Sequence, residues 1–278
     1  MTLDSSEIIW QNRQNRLNAL SWLSPVLLLL GAMFVLLPLA IVFVTSLSAA
    51  GKASGLTGAN YLAAWQRGNF LLAFANSTLV AFAVTACQIF TSALAGYALA
   101  RFKFWGRQSV VLILLATLII PFQILVVPIF LVLKWGHLIN TYGALILPTA
   151  ANAFGIFLLQ QYFQTIPVEL EESAALDGAT RWQILWHIML PLARPALLTL
   201  FLFTFIGEWN DLFKPLVFTT RPELRTVQLS LAAFQEQFTN DWSVLMAAVV
   251  ITTLPMVLLF LVSQRQFIRG IAMTGVKN

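Results

Sequence analysis

The run Pro25-Val26-Leu27-Leu28-Leu29-Leu30-Gly31-Ala32-Met33-Phe34-Val35-Leu36-Leu37-Pro38 carries no charge and no strongly polar side chain, and it lies inside an apolar stretch at residues 21–46. A helix rises about 1.5 Å per residue, so roughly 20 apolar residues cross a hydrocarbon layer about 30 Å thick. This stretch is long enough. It is too long for the core of a cleaved signal peptide, and the twenty residues before it are polar and contain Asp4 and Glu7, so it is expected to remain as an anchor. Comparable runs recur at 72–98, 110–133, 143–162, 196–213 and 244–263. With 59% hydrophobic and only 10% charged residues, 278 residues cannot hide this surface in one soluble core. The runs are continuous and not alternating, and an isolated run satisfies its own backbone in lipid only as a helix. The sequence therefore predicts an all-α polytopic membrane protein with six transmembrane helices.

Lysine and arginine set the orientation, because positive residues near membrane ends are retained on the cytoplasmic side. One side of a six-span chain carries Arg13, Arg16, Arg101, Lys103, Arg107, Arg181, Arg194, Arg265, Arg269 and Lys277. The other carries Lys52, Arg67, Lys134, Lys214, Arg221 and Arg225. Both termini, a segment at 1–20 and a tail at 265–278, are thus expected in the cytoplasm. The net charge of +5 reads as topology and not as nucleic-acid binding. Arg101, Lys103 and Arg107 form a short basic elbow expected at the lipid headgroups. A lone Cys87 excludes an internal disulfide, and His137 and His187 fall on opposite sides, so neither disulfide nor metal chemistry is indicated.

One segment on the positive side, residues 164–194, is polar and long enough for two short helices. Pro167 suits a first helical position, and Glu169, Glu171 and Glu172 crowd the first turns, where the helix dipole favours anions. Gly178 is a natural stop. Thr180 and Gln183 form a capping-box pattern for a second helix that Pro191 should end. Trp182, Leu185, Trp186 and Met189 follow one apolar stripe of that helix. Such a pair could lie on the membrane, pack under the bundle, or serve as a docking knob for a soluble partner.

The residues favour docking. Glu172-Ser173-Ala174, then Gly178, then Ile188-Met189-Leu190-Pro191 resembles the EAA loop of ATP-binding-cassette importer permeases, with every spacing in agreement and Ser173 in place of the usual alanine. The resemblance covers roughly residues 70–278 and is similar to the carbohydrate-uptake, maltose-system-like branch. Asn76-Ser77, Gly96-Tyr97-Ala98-Leu99-Ala100-Arg101-Phe102, Pro121-Phe122-Gln123, Asn140-Thr141-Tyr142, Trp209-Asn210-Asp211 and Phe267-Ile268-Arg269-Gly270 also resemble that group. It implies a type-1 ABC transmembrane domain at 71–264. It also implies a coupling helix between spans 4 and 5, with Glu172, Ser173, Ala174, Gly178, Arg181, Ile188, Leu190 and Pro191 coupling to an ATPase. The partners implied are a second permease, usually a different homologous chain, two cytoplasmic ATPase subunits and an extracytoplasmic solute-binding protein. The chain has no Gly-x-x-x-x-Gly-Lys-Ser/Thr phosphate loop, so ATP hydrolysis is expected to fall to a separate protein; the resemblance implies a multi-pass inner-membrane permease and not an enzyme, with no cofactor.

Polar residues inside spans are costly and mark a candidate path: Gln88, Gln123, Asn152, Glu208 and Asn210. The alternative is plainer. The glutamine and asparagine side chains could hydrogen-bond between helices, and Glu208 with Asp211 could mark the end of the fifth span, Asp211 pairing with Lys214. Trp209 suits the interfacial aromatic belt better than a sugar face. Pro121 and Pro255 could kink moving helices or sit in static packing. A secondary transporter or channel working without an ATPase remains the alternative function, but no paired broken-helix repeat supports it. No nucleophile-and-base set supports a membrane enzyme. A sugar, an oligosaccharide, a polyol or a glycerol-based phosphodiester would all fit the branch.

Overall fold

The computed structural model describes residues 23–49, 55–237 and 241–275, with side chains for 25–49, 55–236 and 241–264. The predicted cytoplasmic segment 1–20, Lys52, Lys277 and the side chains of the 267–270 motif, Arg265 and Arg269 lie outside the described residues. The described backbone is helical, with one isolated bridge between Ser48 and Leu56 and no strand. It divides into two units, residues 1–64 with 238–250 and residues 65–237 with 251–278.

In the first unit, α1 (Leu23–Leu47) is apolar on every side, and its residues 26–41 are exposed, as expected of a surface meant for lipid. Its exit is fixed by Asn60 at the start of α2 (Ala59–Arg67). The buried Asn60 amide donates to the carbonyls of Ser46 and Ser48 at 2.8 and 2.9 Å, and Ser46 Oγ bonds Tyr61 Oη at 2.6 Å.

The second unit is built on α3 (Phe70–Arg101), which packs against α7 (Ala153–Thr165) and α10 (Arg194–Trp209). Two glycines permit that approach. A Cβ on Gly96 would stand 3.0 Å from the Gln160 nitrogen and 3.1 Å from the Ile156 oxygen, and one on Gly155 would collide with Ser92 Oγ. Small residues letting backbones close up is how helices associate where lipid removes the hydrophobic drive. Tyr97, Leu159, Phe163, Ile184, Met189 and Leu200 form the core at one end of these helices.

Among the described residues, three helical segments reach or exceed a membrane's thickness unbroken, Pro25–Leu47, Phe70–Arg101 and Trp242–Gln264; the last lies in α13 (Trp242–Gly275), which continues unbroken through Pro255. The remaining spans are broken. The third run is no single helix: α4 (Arg107–Thr117) and α5 (Phe122–Trp135) meet at 101°. Pro121 offers no N–H and turns the residue before it away from helix, so residues 118–120 close with i to i−3 bonds and the chain restarts at Phe122. In the fourth, α6 (Tyr142–Ile146) and a tight turn through Pro148 meet α7 at 44°. The fifth helix, α10, ends at Trp209 and not at 213, and a short α11 (Phe213–Phe218) follows. Counting each bent pair as one span gives up to six among the described residues, by length and composition, the fifth span being the segment Arg181–Leu192 with α10.

The segments joining these spans are ordered by motif residues. Asn76 Nδ2 donates to the carbonyls of Glu223 and Arg225 at 2.8 and 2.9 Å, its Oδ1 accepts from Tyr142 Oη at 2.7 Å, and Ser77 Oγ accepts from the Val227 amide at 2.8 Å. Together they fix the start of α12 (Val227–Gln237). Asn140, in the left-handed region at φ 63°, caps the backbone N–H groups of Thr220 and Arg221.

Candidate functional site

The polar segment folds as a helical hairpin, α8 (Glu169–Leu176) and α9 (Arg181–Leu192), and α9 turns by 78° into α10. Its corner is a complete Schellman motif: the Gly178 amide donates to the Ala175 carbonyl at 3.1 Å and the Ala179 amide to the Ala174 carbonyl at 2.9 Å. Gly178 sits at φ 86°, where a side chain is strained even though the space around it is open. The capping box is formed in full, with Thr180 and Gln183 each bonding the other's backbone N–H.

α9 closes at Leu192, one residue after Pro191. Three expectations are corrected here. Pro167 precedes the helix, which starts at Glu169 after Val168. The buried stripe of α9 is Ile184, Leu185, Met189 and Leu190, whereas Trp182 and Trp186 are 55% and 42% exposed and pack edge to face with each other. A π-helical turn over Leu185–Met189 rotates the face away from the 3.6-residue expectation. Finally, the Arg101 guanidinium does not reach outward but turns into the fold, half-buried against Glu171.

Glu171, next to the motif glutamate, is 2% exposed. Its Oε1 accepts from Arg101 Nε, its Oε2 accepts from Tyr97 Oη at 2.9 Å, and the Arg181 guanidinium lies 3.9 Å from Oε2. Arg101 Nη2 also donates to the Ile166 carbonyl at 2.7 Å. A buried carboxylate is tolerable only when paired and hydrogen-bonded in this way. Glu172, Ser173, Gly178, Arg181 and Pro191 are exposed, Ala174 and Ile188 are half-buried, and Leu190 belongs to the core. The sequence offered one unread signal for Glu171: Tyr97 and Arg101 stand four apart on one face of α3 and call for an anion.

A second constellation lies along α3. Gln88, Gln123, Thr149, Asn152, Glu208, Asp211 and Lys214 line a cavity of about 520 Å³, within the range of small-molecule sites. Four of the five predicted path residues meet there; Asn210 does not, its amide turning to the Ile206 carbonyl. Lys214, assigned by sequence to the outer side that carries fewer positive residues and to a pairing with Asp211, is buried. Its Nζ lies 2.5 Å from Glu208 Oε2, 3.4 Å from Asp211 Oδ2, 2.7 Å from Thr149 Oγ1 and 3.3 Å from the Leu145 carbonyl. Gln88 is held at both ends, donating to the Thr149 carbonyl at 2.7 Å and accepting from Thr204 Oγ1 at 2.8 Å. Asn152 Oδ1 caps α7 through the Gly155 amide, which leaves its amide N–H groups for the cavity. Trp209 is buried, its ring stacked on Phe205 at 6.1 Å, so it belongs to neither the belt nor a sugar site.

The chain is similar to known proteins in sequence and in fold. The family described as binding-protein-dependent transport system inner membrane component matches residues 88–273. An arabinooligosaccharides transport system permease protein of Halalkalibacterium halodurans is 36% identical over 205 residues, 74% of each chain. A lactose transport system permease protein of Rhizobium radiobacter is 33% identical over 199 residues, 72% of this chain and 73% of that one. A chain of a bacterial ABC transporter involved in the import of the acidic polysaccharide alginate matches with a TM-score of 0.76, at 25% identity, over 95% of this chain and 99% of that one. The fold is also that of a bacterial alginate ABC transporter in complex with an alginate pentasaccharide-bound periplasmic protein, at a TM-score of 0.65 and 17% identity.

Proposed function

Because this chain belongs to the inner membrane components of binding-protein-dependent transport systems, and is a permease subunit and not an enzyme, we propose that it moves a sugar or sugar-like solute into the cell while a separate ATPase docks on the 164–194 hairpin. The observation that carries the docking is the hairpin's outer face. Glu172, Leu176, Trp182 and Trp186 are all exposed on it, Leu176 at 90%, although the hairpin's inner face is fully packed. Exposed aromatic and aliphatic side chains beside a free carboxylate are what a partner's cleft buries and pairs. The same orientation puts both termini in the cytoplasm.

The sugar reading is supported by the named relatives and by the cavity, where the Gln123 side chain and the Asn152 amide N–H groups stand ready to bond hydroxyls while the carboxylates of Glu208 and Asp211 are taken up by Lys214. We read Gln88, Gln123, Asn152 and Glu208 as this chain's share of the path. The other share belongs to a second, homologous permease chain, with two ATPase subunits inside and a solute-binding protein outside. Gly178→Asp tests the docking. At φ 86° the substitution strains the corner, and ATPase recovered with the detergent-solubilised permease should fall at least tenfold while insertion into the membrane is unchanged. Full recovery of the ATPase together with normal uptake would contradict the docking role, and solute movement by the isolated chain in vesicles under an ion gradient would replace it with a secondary transporter.

A further inference from the structure

The two adjacent glutamates of the hairpin face opposite ways, Glu172 outward and Glu171 into the fold. We propose that Glu171 is the positioning residue through which displacement of the hairpin reaches the second span, with Tyr97 and Arg101 as its anchors on α3. The proposal rests on the docking reading above.

Among the described residues the rest of the seam between hairpin and bundle is mainly an apolar cluster that holds Ile184, Leu185 and Met189 together with Phe163, Tyr97 and Ala100, with one exposed hydrogen bond of 3.4 Å from Tyr162 Oη to the Leu192 carbonyl. Apolar contacts are non-directional and tolerate small slides. The Glu171 carboxylate does not, because both oxygens are committed to α3 and a slip would leave a buried charge unpaired. Arg101 extends the grip by holding the Ile166 carbonyl, in the link from α7 to α8, and Arg181 approaches the same carboxylate from the first turn of α9. One carboxylate thus gathers α8, α9, the end of α7 and the end of α3. From Tyr97 the unbroken α3 leads back nine residues, about 14 Å of helix, to Gln88 in the cavity wall. A push on α8 therefore has a stiff route to the cavity, and Glu171 is its first link.

The test uses the assembled transporter in vesicles, with Cys87→Ala and Gln123→Cys in this chain and a charged methanethiosulfonate reagent as the probe. In the parent, the labelling rate at position 123 should differ severalfold between the nucleotide-free and the ATP–vanadate-trapped states. Glu171→Gln keeps the shape but removes the charge, and Tyr97→Phe removes a single hydroxyl. Both should retain bound ATPase and ATP hydrolysis within about twofold of the parent, while the nucleotide-dependent difference in labelling collapses, completely in Glu171→Gln and partly in Tyr97→Phe. Reversing the pair, Glu171→Arg with Arg101→Glu, should restore part of it. A difference that persists in Glu171→Gln overturns the proposal, as does a parent whose labelling ignores nucleotide. Loss of bound ATPase in Glu171→Gln and Tyr97→Phe also overturns it, since the residue would then be holding the docking face itself. Failure of the parent to retain any ATPase would instead refute the docking reading.

Discussion

At the scale of single residues, Lys214 shows where a rule based on charge alone loses its way. Positive residues near membrane ends are assigned to loops because burying an ammonium is costly, yet here Glu208, Asp211, Thr149 and the Leu145 carbonyl satisfy it. Asp211 was visible as an i, i+3 partner, but Thr149 and Leu145 are more than sixty residues away and carry no mark in sequence. The arrangement predicts that Lys214→Met destabilises strongly, on the order of 3 kcal/mol, because it strands two carboxylates beside the cavity. Adding Glu208→Gln should recover much of that loss. Thermal unfolding of the detergent-solubilised complex would show it as a large drop in midpoint for the single variant and a smaller one for the pair; equal midpoints for single and double variants would argue that the ions are independently solvated.

Among the elements, the packing of α3 on α7 is the sharpest constraint, and it is written in glycine. Gly96→Val would drive side-chain atoms into the α7 backbone at Gln160 and Ile156, which cannot yield as a flexible side chain can. The expected cost is about 1–3 kcal/mol. Gly207→Ala on α10 is the contrasting case: nothing lies within 4 Å of its added Cβ, and the gain in helix propensity is about 1 kcal/mol at most. Opposite shifts in unfolding midpoint for the two variants check the pair, and a shared direction would contradict the close approach. Element identity was legible because lipid-length apolar runs, Gly178, and the Thr180 and Gln183 pair each have local causes. The bends were less so: Pro121 announced a break but not an angle of 101°, which depends on how α4 and α5 pack after the break. The π-turn at Leu185–Met189 had no local signature, and of the expected stripe Leu185 and Met189 are buried while Trp182 and Trp186 face outward.

For the molecule as a whole, the question is whether the cavity is a wet path or a sealed hydrogen-bond network, and the sequence leaned toward the plainer network. The structure assembles Gln88, Gln123, Asn152 and Glu208 from four separate helical segments around one space of about 520 Å³, which a set of unrelated interhelical bonds would not require. It also distinguishes the members. Gln88 is pinned at both ends, whereas Gln123 is exposed and stands immediately after the Pro121 break. A broken span is tolerated at membrane depth where its free backbone lines a cavity, which is the position residues 118–121 occupy beside Leu118 and Ile120 of the wall. Water should therefore reach Gln123 and Asn152 but not the lipid-facing surface. In a Cys87→Ala background, Gln123→Cys and Asn152→Cys should react with a membrane-impermeant, charged thiol reagent at least tenfold faster than Ile113→Cys or Val127→Cys, whose side chains are exposed on apolar faces of α4 and α5. Modification of the Gln123→Cys variant should also block uptake by the assembled transporter. Rates at 123 and 152 no faster than at 113 and 127 would mean the space is dry, and the path would then have to run along a different face of this chain.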